Sequence, residues 1–95
     1  MKVKKLNEAE IAKALQKLDG WEREGGSIRQ LYTFKTFAEG IGFVDRVALE
    51  ADAADHHPDI DIRYTTVVMT LSTHSAGGLT AKDLALAETI DSLAG

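Results

Sequence analysis

The sequence predicts an α+β domain: a four-stranded antiparallel sheet with three helices packed on one face, in the order α-β-β-α-β-β-α. Three observations support this prediction. Three segments open on a helix-capping signature, at Asn7 with Glu10, Thr36 with Glu39 and Thr80 with Asp83. Two intervening blocks alternate apolar and polar residues with period two. Glycine pairs at Gly25-Gly26 and Gly77-Gly78, together with the lone Pro58, punctuate the chain between them.

The elements follow in order. Leu6 precedes the first cap as a staple residue, Ile11, Leu15 and Leu18 recur at helical spacing, and Gly20 is the expected stop. Trp21–Glu24 and Ser27–Phe34 read as two strands joined by the Gly-Gly turn. In the second of these, Ile28, Gln30, Tyr32 and Phe34 share one side, and Arg29, Leu31 and Thr33 the other. The longest helix is expected from about Phe37 to Asp55, with Pro58 as its terminator. Its apolar positions form two adjacent stripes, Phe37, Ile41, Val44 and Ala48 beside Phe43, Val47 and Ala51. That band is wide enough for part of it to face another subunit. Gly40 and Gly42 lower intrinsic helicity, and their expected use is close packing. From Asp59 to Thr73 the alternation resumes, with a turn expected at Thr65-Thr66. Leu84, Leu86, Ala87, Ile90 and Leu93 give the last helix its apolar side.

Composition narrows the function classes. Ninety-five residues, residues 1–95, make one domain with no internal repeat or linker, and 44 % apolar with 27 % charged residues is ordinary for a globular chain. The balance of 11 basic and 15 acidic residues gives −4, which offers no general attraction to nucleic acid or to an anionic membrane. The absence of Cys excludes disulfides, thiolate metal sites and a Cys nucleophile. No apolar run approaches the roughly 20 residues of a membrane span. Met1-Lys2-Val3-Lys4-Lys5-Leu6 has no apolar stretch behind its basic residues, so it does not read as a secretory signal. The expected setting is cytoplasmic. A domain this small buries only about 60–65 % of its unfolded surface, so self-association is a plausible further source of stability.

The residues able to do chemistry cluster. His56 and His57 are expected at the end of the long helix, and His74 at the end of the fourth strand. Histidine can give and take a proton near neutral pH, and Asp52, Asp55, Asp59 and Asp61 lie close by in the chain. A solvated helix cap would look much the same by spacing alone. Three imidazoles and a carboxylate is also a zinc set. Adjacent histidines seldom share one ion, however, and no His-x-x-x-His pair is present, so no metal is expected. Ser72, Thr73 and Ser75 flank His74 without a nucleophile elbow.

Taken together, Asp52-Ala53-Ala54-Asp55-His56-His57-Pro58, the aromatic Tyr64, Leu71-Ser72-Thr73-His74 and Gly78-Leu79-Thr80-Ala81-Lys82-Asp83 resemble the signature of the pterin-4a-carbinolamine dehydratases. Phe43–Leu49 and the Gly20-Trp21 pair resemble the same family, so the likeness runs from about Leu6 to Ala94. Ile60 stands where many members carry an aromatic, and Asp52 where a longer acid is frequent. The resemblance implies the fold already expected. It also implies a hydro-lyase that dehydrates 4a-hydroxytetrahydropterin to quinonoid dihydropterin in tetrahydrobiopterin recycling. On that likeness the protein needs no metal and no cofactor, forms a homodimer or homotetramer, and serves an aromatic amino-acid hydroxylase pathway. His57 and His74 would be the principal acid/base groups, with His56 positioning the pterin or assisting as a second acid. Asp52, Asp55, Pro58, Ser72, Thr73 and Asp83 would bind or orient the substrate. A reading from another class stands beside this one: a non-catalytic oligomerisation or partner-binding module of the same fold.

Overall fold

The computed structural model describes residues 3–95, so the Met1-Lys2 part of the N-terminal reading lies outside the described residues. The elements are α1 (Glu8–Leu15), β1 (Glu22–Glu24), β2 (Ser27–Thr33), α2 (Phe37–Ala54), β3 (Asp59–Arg63), β4 (Thr66–Leu71), a 3₁₀ turn (His74–Ala76) and α3 (Ala81–Ala94). The four strands form one antiparallel sheet in the order β1-β2-β4-β3. Helix α2 therefore carries the chain across β4 before β3 pairs back onto it, with Ile60 opposite Met69 and Ile62 opposite Val67. The predicted α+β architecture and element order are those observed.

Period two decides which face is buried. Ile28 in β2 and Val67, Met69 and Leu71 in β4 are fully buried. They pack with Phe43 and Val47 of α2 and Leu86, Ala87 and Ile90 of α3. Each such side chain contributes about 1.5–3 kcal/mol on leaving water. Tyr32 and Phe34 stack in tilted fashion on Phe43, with ring centroids 4.9 and 5.1 Å away. Tyr32 also donates from its hydroxyl to Asp91, which accepts from Trp21 Nε1 as well, tying α3 to the first hairpin. Burial first, then that hydrogen bond and the Asp91 charge, push the Tyr32 hydroxyl well above the ordinary tyrosine range. The opposite face of the sheet is open, with Leu31 exposed on it.

Several local expectations are corrected. Helix α1 opens with the predicted reciprocal capping box of Asn7 and Glu10 but ends at Leu15, before Gly20. Tighter i to i−3 bonds, Lys17 to Ala14 and Leu18 to Leu15, curl the chain so that Leu18 and Trp21 reach the core. Gly20 then takes φ +86°, where a Cβ would collide with the Gln30 amide, so glycine serves the exit rather than the cap. At α2, Thr36 accepts from the Glu39 amide. At the other end, Asp55 in left-handed geometry (φ 50°) stops α2 three residues before Pro58. The Asp55 N–H reaches the Asp52 carbonyl and the His56 N–H reaches Ala51, the bond pair of a Schellman motif. Close packing does not require glycine at Gly40 or Gly42, since a methyl at either would meet its neighbours at an ordinary 3.6 Å.

The Phe43, Val47 and Ala51 stripe of α2 is the buried one, whereas Phe37 and Ala48 of the other stripe are exposed. The β3–β4 turn lies at Tyr64-Thr65, one residue earlier than expected. Arg63 pairs with Thr66, and Tyr64 takes φ 53° without help from Gly or Asn. His74 does not close the fourth strand. Strand β4 ends at Leu71, and His74 opens the 3₁₀ turn held by the Thr73–Gly78 bridge.

Candidate active site

The ends of three elements meet around one carboxylate. Asp83 is the third residue of α3, and the capping box requires its side chain to turn back on the helix start: Thr80 N–H donates to Asp83 Oδ2 at 2.9 Å. Thr73, just after β4, donates its hydroxyl to the same oxygen at 2.8 Å. His56, delivered by the Schellman turn that closes α2, reaches Asp83 Oδ1 through Nε2 at 2.6 Å. Asp83 and Thr80 are wholly buried, Thr73 nearly so, and the His56 side chain is 10 % exposed. A carboxylate removed this far from water is tolerable only with polar partners on it, and Asp83 has three: the Thr73 hydroxyl and the Thr80 amide as donors, and the His56 ring nitrogen.

The neighbouring histidine sits in a different setting. His57 Nε2 lies 2.9 Å from Asp52 Oδ1, one turn back in α2, with the two side chains 58 % and 77 % exposed. His74 is exposed at the start of the 3₁₀ turn, one residue beyond Thr73. The structure therefore joins His56, Thr73 and Asp83 directly, and pairs His57 with Asp52. Asp55 is exposed and serves as the helix stop, and Pro58 is half-buried just beyond the histidines. Ser72 donates to the Gly26 carbonyl at 3.0 Å, so its hydroxyl ties β4 to the first hairpin turn. His56 also lines a cleft of about 350 Å³ between α2 and α3, with Glu50, Ala53, Lys82, Leu86 and Thr89 among its walls. Among the described residues, no three His, Asp or Glu side chains converge as a metal-ligand set.

Sequence reasoning missed Thr80 as a site residue. Its signal was present in the Thr80-x-x-Asp83 capping box, which forces the two side chains together, but a cap is ordinarily read as serving its helix alone. The arrangement sets one imidazole on a buried carboxylate by its Nε2, a second on an exposed carboxylate and a third on an exposed turn, and imidazoles as a class can give and take protons near neutral pH.

Fold and site thus define an α+β domain with a histidine–carboxylate cluster at the ends of its elements. Comparison with known proteins places it more narrowly. The family model for pterin 4 alpha carbinolamine dehydratase matches residues 4–93. A Mycobacteroides abscessus protein, provisionally named a pterin-4-alpha-carbinolamine dehydratase, is 57 % identical over 90 residues, covering 95 % of this chain and 96 % of that one. The crystal structure of a transcriptional coactivator/pterin dehydratase from Brucella melitensis superposes with a TM-score of 0.92 at 38 % identity, over 96 % of this chain and 99 % of that one. A pterin dehydratase-like protein described as a RuBisCO assembly factor in the alpha-carboxysome is more distant. Its TM-score is 0.65 at 25 % identity, with 79 % and 87 % of the two chains covered. The chain belongs to the pterin-4α-carbinolamine dehydratase family, a family of lyases.

Proposed function

We propose that this protein dehydrates 4a-hydroxytetrahydropterin to quinonoid dihydropterin by histidine acid/base catalysis, as a step in tetrahydropterin recycling. In that reaction the C4a–O bond breaks as the hydroxyl accepts a proton and leaves as water. N5 then gives up its proton and the C4a=N5 bond forms. One acid and one base suffice, each step worth roughly 10²–10⁴-fold. His57 and His74 are the principal pair in this reading, with His56 as the third imidazole beside the pterin. Asp52 and Asp55 orient rings or accept from the pterin, and Pro58, Ser72 and Thr73 shape the pocket. The protein works as a homo-oligomer in the cytoplasm.

The observation that supports the reading best is the shared anchor. Asp83 is bonded to His56, the chain neighbour of His57, and to Thr73, the chain neighbour of His74. These bonds hold the chain segment that carries His57 beside the one that carries His74. The test is stopped-flow dehydration of 4a-hydroxytetrahydropterin generated in situ, in the presence of chelator. Acceleration by the wild type that is lost in His57→Ala, with oligomer mass unchanged, supports the proposal. A normal rate in that variant refutes the assignment of His57.

A partner-binding role is the second reading. It is favoured by the two structural relatives described as a coactivator and as an assembly factor. The open sheet face also offers a groove of about 490 Å³ that includes Arg29, Leu31, Asp61 and Arg63. No acceleration from a folded oligomer would leave this as the better account.

A further inference from the structure

Hydrogen-bond counting around Asp83 determines more than its partners. A threonine hydroxyl has one proton to give. Thr73 gives its proton to Asp83 Oδ2, so the 2.8 Å contact between the Thr73 and Thr80 hydroxyls must be donated by Thr80. Thr80 Oγ1 in turn accepts from the Lys82 amide at 3.3 Å. Every donor in the chain points the same way: Lys82 N–H to Thr80, Thr80 to Thr73, and Thr73 with the Thr80 amide to Asp83 Oδ2. Both donors fall on Oδ2, and a carboxylate has no proton of its own to give at Oδ1, so against it His56 presents Nε2–H. The other ring nitrogen is left over. Among the described residues Nδ1 makes no hydrogen bond, and no buried polar side-chain atom lacks a partner, so Nδ1 keeps contact with solvent.

We propose that Thr80 is a positioning residue whose buried hydroxyl relay, through Thr73 and Asp83, locks His56 with its proton on Nε2, so that His56 meets the substrate only through Nδ1. The inference rests on the dehydratase reading for its substrate but not for its geometry. Neutral His56 offers the Nδ1 lone pair as an acceptor or base, and protonated His56 offers Nδ1–H as an acid. In both states Nε2–H stays on Asp83. No side chain needs to move between the two, which is what a preorganised acid/base group requires.

Two readouts on the whole protein test this. Long-range ¹H–¹⁵N spectra of the imidazoles report the tautomer of His56 without reference to activity, and the wild type is expected to show Nε2–H. In Thr80→Val, Thr73 loses its donor and is free to turn from Asp83. The His56 signals are then expected to report mixed tautomers, and kcat for dehydration to fall about tenfold with KM within about twofold. Thr80→Ser, which keeps the hydroxyl, should restore both. An Nδ1–H tautomer in the wild type overturns the proposal with no variant needed. So does a Thr80→Val protein whose tautomer and pH–rate profile match the wild type, since Thr80 would then be a cap and nothing more. A wild type that shows the expected tautomer but does not dehydrate the pterin defeats the dehydratase reading and leaves the relay standing.

Discussion

Replacing Asp83 by Asn changes one atom and inverts the logic of the cluster. The side chain is wholly buried and accepts three hydrogen bonds, at 2.6 Å from His56 Nε2, 2.8 Å from Thr73 and 2.9 Å from the Thr80 amide. An amide has a single acceptor oxygen. Turned toward Thr73 and Thr80 it keeps those two bonds, but its NH₂ then faces the Nε2–H of His56. That contact survives only if His56 moves its proton to Nδ1 and accepts through Nε2. The stability lost is one charge-assisted bond, about 1.5–3 kcal/mol, visible as a lower urea midpoint at unchanged slope. The loss of rate should exceed what stability explains. The His56 nitrogen presented to the pocket would carry the wrong proton, and acid/base contributions of about 10²–10⁴-fold are at stake. Stopped-flow dehydration on the folded variant is the assay. A wild-type kcat in a protein destabilised by that amount would refute the argument that the orientation of His56 matters to the reaction.

Tyr32→Phe tests a strongly displaced ionisation. The folded-state pKa of Tyr32 lies above the unfolded value of about 10, so its stabilisation is present below pH 10 and is lost as pH rises beyond it. Urea midpoints of the wild type should therefore fall above pH 10, and the variant, which has no proton there to lose, should fall less steeply. Phe43→Ala removes a fully buried ring packed on Tyr32 and Phe34, and should cost about 3–5 kcal/mol in chemical denaturation. Thr36→Ala deletes the side chain that accepts from the Glu39 amide at the start of α2, and should cost about 1 kcal/mol by the same measurement.

What the sequence made legible follows from the range of each interaction. Capping boxes span three residues, and those at Asn7 and Thr80 formed as written, while Thr36 formed the side-chain half. Alternation in β4 is equally local and placed Val67, Met69 and Leu71 in the core. The errors arose where tertiary packing overrode a punctuating residue. Gly20 reads as a helix stop, but α1 ends at Leu15, where the chain curls to carry Leu18 and Trp21 into the core. Pro58 reads as the terminator of α2, although left-handed Asp55, which carries no such signature, does that work. The turn at Tyr64 was misplaced for the same reason, since register with β4 decides it and an exposed tyrosine tolerates φ 53°. The site was legible as a set of residue types and as a family signature. Its wiring was not, because the His56–Asp83 bond spans 27 residues and nothing local announces it.

The adjacent pair His56-His57 shows why wiring matters more than proximity. Both histidines face an aspartate through Nε2, at 2.6 and 2.9 Å, and by distance alone they look alike. Burial separates them. A contact as exposed as His57–Asp52 is worth about 0–1 kcal/mol, so it does not hold the ring in one place. The His56–Asp83 contact is almost wholly shielded from solvent and has two further donors stiffening the carboxylate, so it holds that ring far more firmly. Consecutive residues thus become a locked imidazole and a mobile one. The left-handed turn at Asp55 makes this possible: by ending α2 there, it puts His56 into the Schellman bond to Ala51 while the helix still presents Asp52 to His57. On the dehydratase reading, the dipeptide sets a fixed third imidazole, His56, beside His57 of the principal pair, because one carboxylate is buried and the other exposed.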